Sequence, residues 1–211
     1  MSKPALSPWS HSRQRSGERS RKQDAVLRTA ARFFNERGYH ATSLDDVAEA
    51  LGVTKPTIYR YFANKDEILF ECTRRGLNAI AASARDAAVA GDPAPERLRA
   101  MLMAYARIML DDFGICVART QDHLLSPESR ASFRALKREI DLLIRAVVAE
   151  GAAEGSLSTP DPRLATFAFA GALNGLGAWF DPAGPITAEE VATRTVDSLM
   201  RGVMPGKEVV Q

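Results

Sequence analysis

The sequence predicts an all-α fold: a three-helix head, with a larger helical body after it, about nine helices in total. Three observations predict it. Residues 38–69, GYHATSLDDVAEALGVTKPTIYRYFANKDEIL, read as two short helices around a tight turn, followed by the start of a third. Over the rest of the 211 residues, apolar side chains recur at spacings of three and four, and no segment alternates with period two. Breaks at Gly91-Asp92-Pro93, Gly155 to Pro162 and Asp181 to Pro185 divide the chain into pieces of helical length.

The elements follow in order. The first helix is expected from about Arg21 to Arg37, with Val26, Leu27, Ala30, Phe33 and Phe34 inward. Ser43 precedes the amphipathic run Leu44, Val47, Ala48, Leu51, and Asp46 three residues on makes a near-match to a capping box. Gly52 ends that run, because a left-handed cap costs glycine least. Thr54 is placed to cap the next helix, about Lys55 to Phe62, and Pro56 falls in its first turn. Asn64 caps a long helix running through Ile68, Cys72, Leu77 and Ile80 towards Val89. Pro95 to Asp112, a shorter element from Gly114 to about Leu125, and a helix from 127 to about 153 opened by Ser126-Pro127 come next. Arg163 to Phe180 and Thr187 to Met204 are the last two.

Two short helices with Gly in the turn are the helix-turn-helix arrangement, so the head is expected to bind DNA. In the second helix Ile58 and Phe62 face the core, leaving Lys55, Thr57, Tyr59, Arg60 and Tyr61 outward or sideways. Lys and Arg reach phosphates or guanine edges, Thr offers a methyl to thymine, and Tyr hydroxyls donate to phosphate. A surface helix whose aromatics pack on a neighbour is the plainer alternative. Thr57, Lys55 and Arg60 are the candidates for base readout. Tyr59 and Lys65, the latter at the start of the long helix, are the candidates for phosphate.

The stretch resembles the N-terminal DNA-binding domain of TetR-family transcriptional regulators. It has Phe33-Phe34, Gly38, Thr42, an Asp-Val-Ala core, Gly52-Val53, Pro56 to Phe62, Asn64-Lys65 and Leu69 in the family's order and without gaps, over about residues 20–70. The resemblance extends the DNA-binding set to Thr42, Ser43, Thr54, Lys55, Thr57, Tyr59, Arg60, Tyr61 and Lys65. It implies a divergent helical C-terminal domain that binds a small molecule and dimerises. The expected organisation is a disordered basic arm over 1–20, a helix-turn-helix domain over 21–67 and an effector-binding and dimerisation domain over 68–211.

Charge supports the division. Residues 1–70 hold 12 Lys+Arg against 8 Asp+Glu, and residues 71–211 hold 16 against 18, so the overall +2 conceals a basic head on a mildly acidic body. Residues 1–22 carry six cations against Glu18 alone and few apolar residues, which predicts disorder. Such an arm either solubilises the chain or binds phosphate or minor groove. Hydrophobic residues make up 45% of the chain, enough for a sizeable core, yet no run approaches eighteen apolar residues, so no membrane span is expected. The polar N-terminus argues against secretion, and two cysteines, Cys72 and Cys116, are too few for a disulfide framework. The expected location is the cytoplasm.

In the helix from Arg163, Ala168, Gly171, Ala172, Gly175 and Ala178 line one face, flanked by Leu164, Phe167, Leu176 and Trp179. Together with Val191, Val196, Leu199 and Val203 of the last helix they are the expected homodimer surface, a four-helix bundle of the kind the resemblance implies. Ordinary packing within one alanine-rich chain is the alternative. A two-fold dimer would set two recognition helices about 35 Å apart, one turn of DNA, matching a palindromic operator. For the effector, Met101, Tyr105, Met109, Phe113 and Phe133 suit an adaptable apolar cavity, although the same stripe suits a plain core. Arg119 is the chosen polar contact; Arg107, Gln121, Asp122 and His123 are further candidates. The segment from Trp179 to Glu190 resembles the C-terminal ends of regulators of lipid, steroid or acyl-CoA breakdown, so an acyl-CoA or another hydrophobic acid is the expected effector class.

An enzyme has little support. The chain has no phosphate-binding Gly-rich loop, no metal-ligand spacing and no nucleophile elbow. His11, His40 and His123 are scattered, and no catalytic residue, metal or cofactor is expected. The competing readings are a ligand-gated repressor, a DNA-binding activator or architectural protein, and a helical lipid-binding or enzymatic module with a fortuitous helix-turn-helix.

Overall fold

The computed structural model describes residues 15–205. Among them are nine α-helices, one short 3-10 turn (Asp122–Leu124) and no strand. The helices are α1 (Arg15–Arg37), α2 (Leu44–Leu51), α3 (Lys55–Tyr59), α4 (Lys65–Ala88), α5 (Ala94–Met109), α6 (Asp112–Arg119), α7 (Pro127–Glu154), α8 (Pro162–Trp179) and α9 (Ala188–Arg201). None is long and apolar enough to cross a membrane.

In the head, α1 packs on α2, α2 on α3, and the first turns of α4 close the triangle. Val26, Leu27, Ala30, Phe34, Leu44, Val47, Ile58, Phe62 and Ile68 are buried there. The caps are those the sequence predicts for α2 and α4. Ser43 Oγ accepts from the Asp46 amide at 3.1 Å while Asp46 Oδ2 accepts from the Ser43 amide at 3.0 Å. These hydrogen bonds hold the Asp46 carboxyl below the usual carboxylate range. Gly52 has φ 65°, a left-handed conformation in which any Cβ would be strained, and this sets the turn between α2 and α3. Asn64 Oδ1 caps α4 through the Glu67 amide at 2.8 Å.

Several boundaries differ from the sequence expectation, among them the element expected to run to about Leu125, whose helix α6 ends at Arg119. The first helix begins at Arg15 instead of Arg21, so residues 15–20 of the expected disordered arm are helical; Glu18 accepts from Lys22 one turn on, at 2.6 Å. The rest of that arm, 1–14, lies outside the described residues. The recognition helix ends at Tyr59, with Arg60 as its C-cap, short of Phe62. The fifth helix stops at Met109 because Asp111 caps α6, its Oδ1 accepting from the Gly114 amide at 2.8 Å; Gly114 therefore lies inside α6 instead of before it. The last helix ends at Arg201, and Val203 is buried from the turn that follows.

The body is built around α4, which carries its apolar face from the head core into contact with α5, α6 and α7. Leu98, Met101, Leu102, Met109, Phe133, Ile144, Leu173 and Val196 fill its centre. Cys72 and Cys116 are both buried within this packing, and burial pushes the Cys72 thiol well above its usual range. At the junction Asp24 of α1 pairs with Arg28 at 2.8 Å and with Arg75 of α4, while both guanidiniums lie over the Phe113 ring of α6 at 5.3 and 5.6 Å.

Candidate DNA-binding and effector sites

The exposed surface of α3 is small because the helix is short, so each of its side chains can be placed. Tyr59 and Arg60 are exposed, and Lys55, Thr57 and Tyr61 are half-buried at the edge of the helix. Lys55 Nζ is 2.7 Å from Asp45 Oδ2 of α2 in an exposed pair. The Thr54 hydroxyl lies 3.0 Å from that of Thr57 and makes no backbone cap, so Thr54 holds the N-cap position of α3 without the expected hydrogen bond. Ser43 is half-buried, and its oxygen is engaged in the α2 cap.

Two of the expected DNA contacts have hydrogen-bond partners inside the head. Thr42 is buried, and its hydroxyl faces the Phe33 and Gly38 carbonyls at 3.1 and 2.9 Å, joining the end of α1 to the start of α2. Lys65 donates from Nζ to the Tyr39 carbonyl at 2.7 Å and the Thr42 carbonyl at 3.0 Å, and sits 4.2 Å from the centre of the Tyr39 ring. Burial pushes its ammonium below the usual lysine range. Its hydrogen bonds clasp α4 to the loop before α2. Sequence reasoning missed this because a lysine at a helix start looks the same whether it points to solvent or back across the fold.

Beside the end of α3, the first turns of α1 form an open polar cleft of about 410 Å³ lined by Glu18, Arg19, Lys22, Arg60 and Tyr61. It extends the surface of α3 with Arg19, a cation that the sequence placed in the arm and the structure places on a helix, while Lys22 is paired there with Glu18.

In the body, a half-enclosed groove of about 330 Å³ lies between α7 and α8, with Tyr105 of α5 among its lining. Ile140, Ile144, Phe167 and Ala170 give it apolar walls, and Lys137 and Arg138 are exposed on its α7 side. Tyr105 donates from its hydroxyl to Asn174 Oδ1 at 3.0 Å, and burial pushes its phenol up to about 12. Of the six side chains expected to bind effector, Tyr105 alone lines this groove. Met101, Met109 and Phe133 are core, and Phe113 is held at the junction by Arg28 and Arg75. Arg119 reaches the Asn35 carbonyl of the head and the Gly177 carbonyl of α8, and borders a second cleft of about 320 Å³ between head and body. Arg107 is taken by Glu189 of α9, with Nε to Oε2 at 2.9 Å, and Asp122 by Arg134. The groove's own residues were not recognisable in sequence, since their apolar members follow the same spacing as the core and their charged members look like a solvated helix face.

Of the expected dimer residues, Ala168, Gly171, Ala172 and Trp179 are exposed and Gly175 is half-buried, all on α8. Val196 is fully buried and Leu199 partly so, because α9 turns its apolar stripe onto α5. Val196 is therefore a core residue, and the exposed part of the expected seam belongs to α8.

Residues 26–72 match the family described as bacterial regulatory proteins, tetR family, and residues 91–203 match the tetracyclin repressor-like C-terminal domain. The chain is similar to PfmR, a TetR-family regulator of Thermus thermophilus, at 35% identity and a TM-score of 0.76, covering 83% of this chain and 97% of that one. It is similar to AibR, solved with isovaleryl coenzyme A and operator DNA, at 27% identity and a TM-score of 0.74, covering 85% and 98%. The transcriptional repressor KstR2 of Rhodococcus jostii is 28% identical over 193 residues, 89% of this chain and 93% of that protein. The activator FasR of Mycolicibacterium smegmatis is 28% identical over 117 residues, so the chain covers only 53% of its length. The helix-turn-helix head, the helical body and both matched domains agree: the chain belongs to the TetR family of DNA-binding transcriptional regulators.

Proposed function

We propose that the protein is a ligand-responsive repressor which binds a palindromic operator as a homodimer in the cytoplasm and is released by a small apolar effector with an acidic or acyl head. The observation that carries the effector half is the groove between α7 and α8. Its volume of about 330 Å³ lies at the small end of ligand sites, its walls are mostly apolar, and Lys137 and Arg138 stand on one side near Asp141, which Arg145 pairs. An apolar chain would lie along Ile140, Ile144 and Ala170, with a carboxylate, thioester carbonyl or phosphate towards Lys137 and Arg138. The complex of AibR with isovaleryl coenzyme A makes acyl thioesters the first compounds to try. In the head, Arg60, Thr57 and Lys55 read bases, while Tyr59, Tyr61 and Arg19 meet phosphates.

Release is a population shift. The effector favours a spacing of the two heads that no longer fits successive major grooves, and α4 joins the two sites. Moving occupancy from about 99:1 to 1:99 requires a preference of roughly 5.5 kcal/mol for the non-binding state. The test is to find the protein's promoter fragments by selection from genomic DNA, then to titrate the complex with acyl-CoAs, fatty acids, aromatic acids and steroid acids. At least one compound is expected to release the DNA and raise the melting temperature. At 100 times its dissociation constant it would add about 2.7 kcal/mol of stability. Release by a sugar or metal alone would overturn the effector class. A second reading, activation, follows from the similarity to FasR; a promoter fusion that loses expression when the protein is deleted would favour it.

A further inference from the structure

The two walls of the groove carry polar groups with different hydrogen bonds left to make. Tyr105 donates its hydroxyl to Asn174 Oδ1 at 3.0 Å, which leaves the Asn174 amide nitrogen as a donor. Thr166 turns its hydroxyl to its own helix, donating to the Pro162 carbonyl at 2.8 Å. Asp141 lines the groove from α7, and its Oδ2 accepts from Arg145 one turn on. Asp141 Oδ1 is buried without a hydrogen-bond partner, and so is the Nε of Arg145. The Asp141 side chain as a whole keeps 22% of its surface open, so a small rotation of the carboxyl presents an oxygen to the groove.

The register of the two helices sets the order of these groups along the groove. α7 ends at Glu154 and α8 begins at Pro162, so the chain doubles back and the two run antiparallel. The Arg145 guanidinium lies 5.7 Å from the centre of the Phe167 ring, which fixes one level. Arg138 stands two turns before Arg145 and Asn174 two turns after Phe167, so both reach one level about 10 Å away, at 1.5 Å per residue. Lys137, Arg138 and Asn174 therefore make an end that suits an anion, while Ile144 and Phe167 make an apolar far end. Asp141 stands one turn from each. Along the helix it is about 6 Å from Lys137, the length of some five carbon–carbon bonds in an extended chain.

We propose that the groove selects a hydroxylated apolar acid, with the acid group at Lys137, Arg138 and Asn174 and a mid-chain hydroxyl paired with Asp141. An ionised carboxylate only accepts hydrogen bonds, so the group beside it must bring a donor. A hydroxyl does this and can also accept from the Arg145 Nε. A plain hydrocarbon would strip water from the carboxylate and return nothing. A ketone turns an oxygen towards an oxygen. A cationic amine meets a carboxylate already neutralised by Arg145, with Lys137 and Arg138 close by. Selectivity then comes from a penalty on unsubstituted acids as much as from a new attraction. The proposal rests on reading the groove as the effector site, and it adds the kind and position of the polar group that the ligand carries.

Calorimetric titration of the DNA-free protein with octanoic, 6-hydroxyoctanoic, 6-oxooctanoic and 3-hydroxyoctanoic acids tests it. The 6-hydroxy acid should bind about tenfold tighter than octanoic acid. The 3-hydroxy acid, whose hydroxyl falls short of Asp141, and the 6-oxo acid should gain nothing. Asp141→Leu should bring the 6-hydroxy and unsubstituted acids within about twofold of each other. Asp141→Asn keeps the size and an acceptor oxygen but adds a donor. In that variant the 6-oxo acid should gain, while the 6-hydroxy acid stays within about threefold of its original affinity. An aspartate that only held Arg145 would not produce this exchange. Equal binding of the 6-hydroxy and unsubstituted acids by the unaltered protein, or binding of neither, overturns the proposal, as does a preference that survives Asp141→Leu. If Asp141→Leu does not fold, the acid series and the Asn variant decide. Operator release by the 6-hydroxy acid is measured separately. Binding that depends on Asp141 but releases no operator would sink the repressor reading and leave this one standing.

Discussion

Lys65→Met separates a phosphate contact from a clasp. The substitution keeps most of the stem and removes the ammonium, which donates to the Tyr39 and Thr42 carbonyls and sits against the Tyr39 ring. Hydrogen bonds from a charged donor contribute about 1.5–3 kcal/mol each, and the ring contact about 0.5–1 kcal/mol. Against this, removing the charge recovers the desolvation cost that depresses the lysine, and water can reach the half-buried site to satisfy part of the freed carbonyls. A net loss of about 2–3 kcal/mol remains, a fall in melting temperature of about 4–12 °C for a chain of this size. The assay is thermal or urea unfolding, joined to operator affinity measured across a range of salt. Operator binding should weaken because the loop before α2 is no longer fixed to α4, but the dependence of log affinity on log salt should keep its slope. A residue that neutralises phosphate would instead lower that slope by about 0.9. Unfolding unchanged within about 0.5 kcal/mol, together with a slope reduced by one contact, would show that Lys65 serves DNA and that the clasp contributes nothing.

Other expectations follow from the same geometry. Thr42→Val should cost about 1–2 kcal/mol of stability, from the hydroxyl facing Phe33 and Gly38, and should also leave the salt slope unchanged. Arg60→Ala should cost about 1–3 kcal/mol in operator binding and relax preference at one or two positions; a loss uniform over all sequences would make Arg60 a phosphate contact. Gly175→Glu places a charge in the α8 stripe and should yield folded monomers with weak operator binding; sedimentation of an intact dimer would move the interface elsewhere. Tyr105 supplies a pH dependence. Its folded value is about 12 against about 10 unfolded, so its contribution is fully present below pH 10 and is lost as pH rises from 10 through 12. Two units correspond to about 2–3 kcal/mol at most. Tyr105→Phe should flatten that alkaline loss in unfolding measurements, and an unchanged alkaline limb would place the phenol outside the buried core.

The head was the legible part of the chain because its signals are local. The capping box at Ser43 and Asp46, the left-handed Gly52 and the Asn64 cap each follow from residues within a few positions of one another. The apolar spacing that buries Ile58 and Phe62 is equally local. What the sequence concealed depends on long separations. The clasp joins Lys65 to carbonyls 23 and 26 residues earlier, and Tyr105 meets Asn174 across 69 residues. Periodicity identifies the buried face of a helix but not the neighbour that covers it. For that reason Met101 and Phe133, apolar and inward as their spacing requires, fill the core instead of lining the expected cavity. Val196 departs from the expected dimer seam for the same reason, since α9 lays it against α5.

The helix between the groove and the head is α6, and under the proposed release a small movement at α8 would reach the DNA-binding end through it. A Cβ added at Gly177 of α8 would lie 3.2 Å from Ile115 of α6, and one at Gly76 of α4 would lie 2.9 Å from Val117 on the same helix. A Cβ would therefore clash at Gly76 and be tight at Gly177, and α6 has little room to shift against either helix. Its other contacts lead to the head: Phe113 lies under Arg28 and Arg75, and Arg119 reaches both the Asn35 carbonyl of α1 and the Gly177 carbonyl of α8. Closely packed helices move as bodies between discrete arrangements instead of deforming continuously. A displacement of α8 would then be expected to carry α6 with it, and α6 packs on α1 and α4 together. Enlarging either glycine tests this path: Gly177→Ala should alter the coupling between effector and operator while each ligand alone still binds. Coupling unchanged in a folded, dimeric Gly177→Ala protein would mean that the signal reaches α4 by another route.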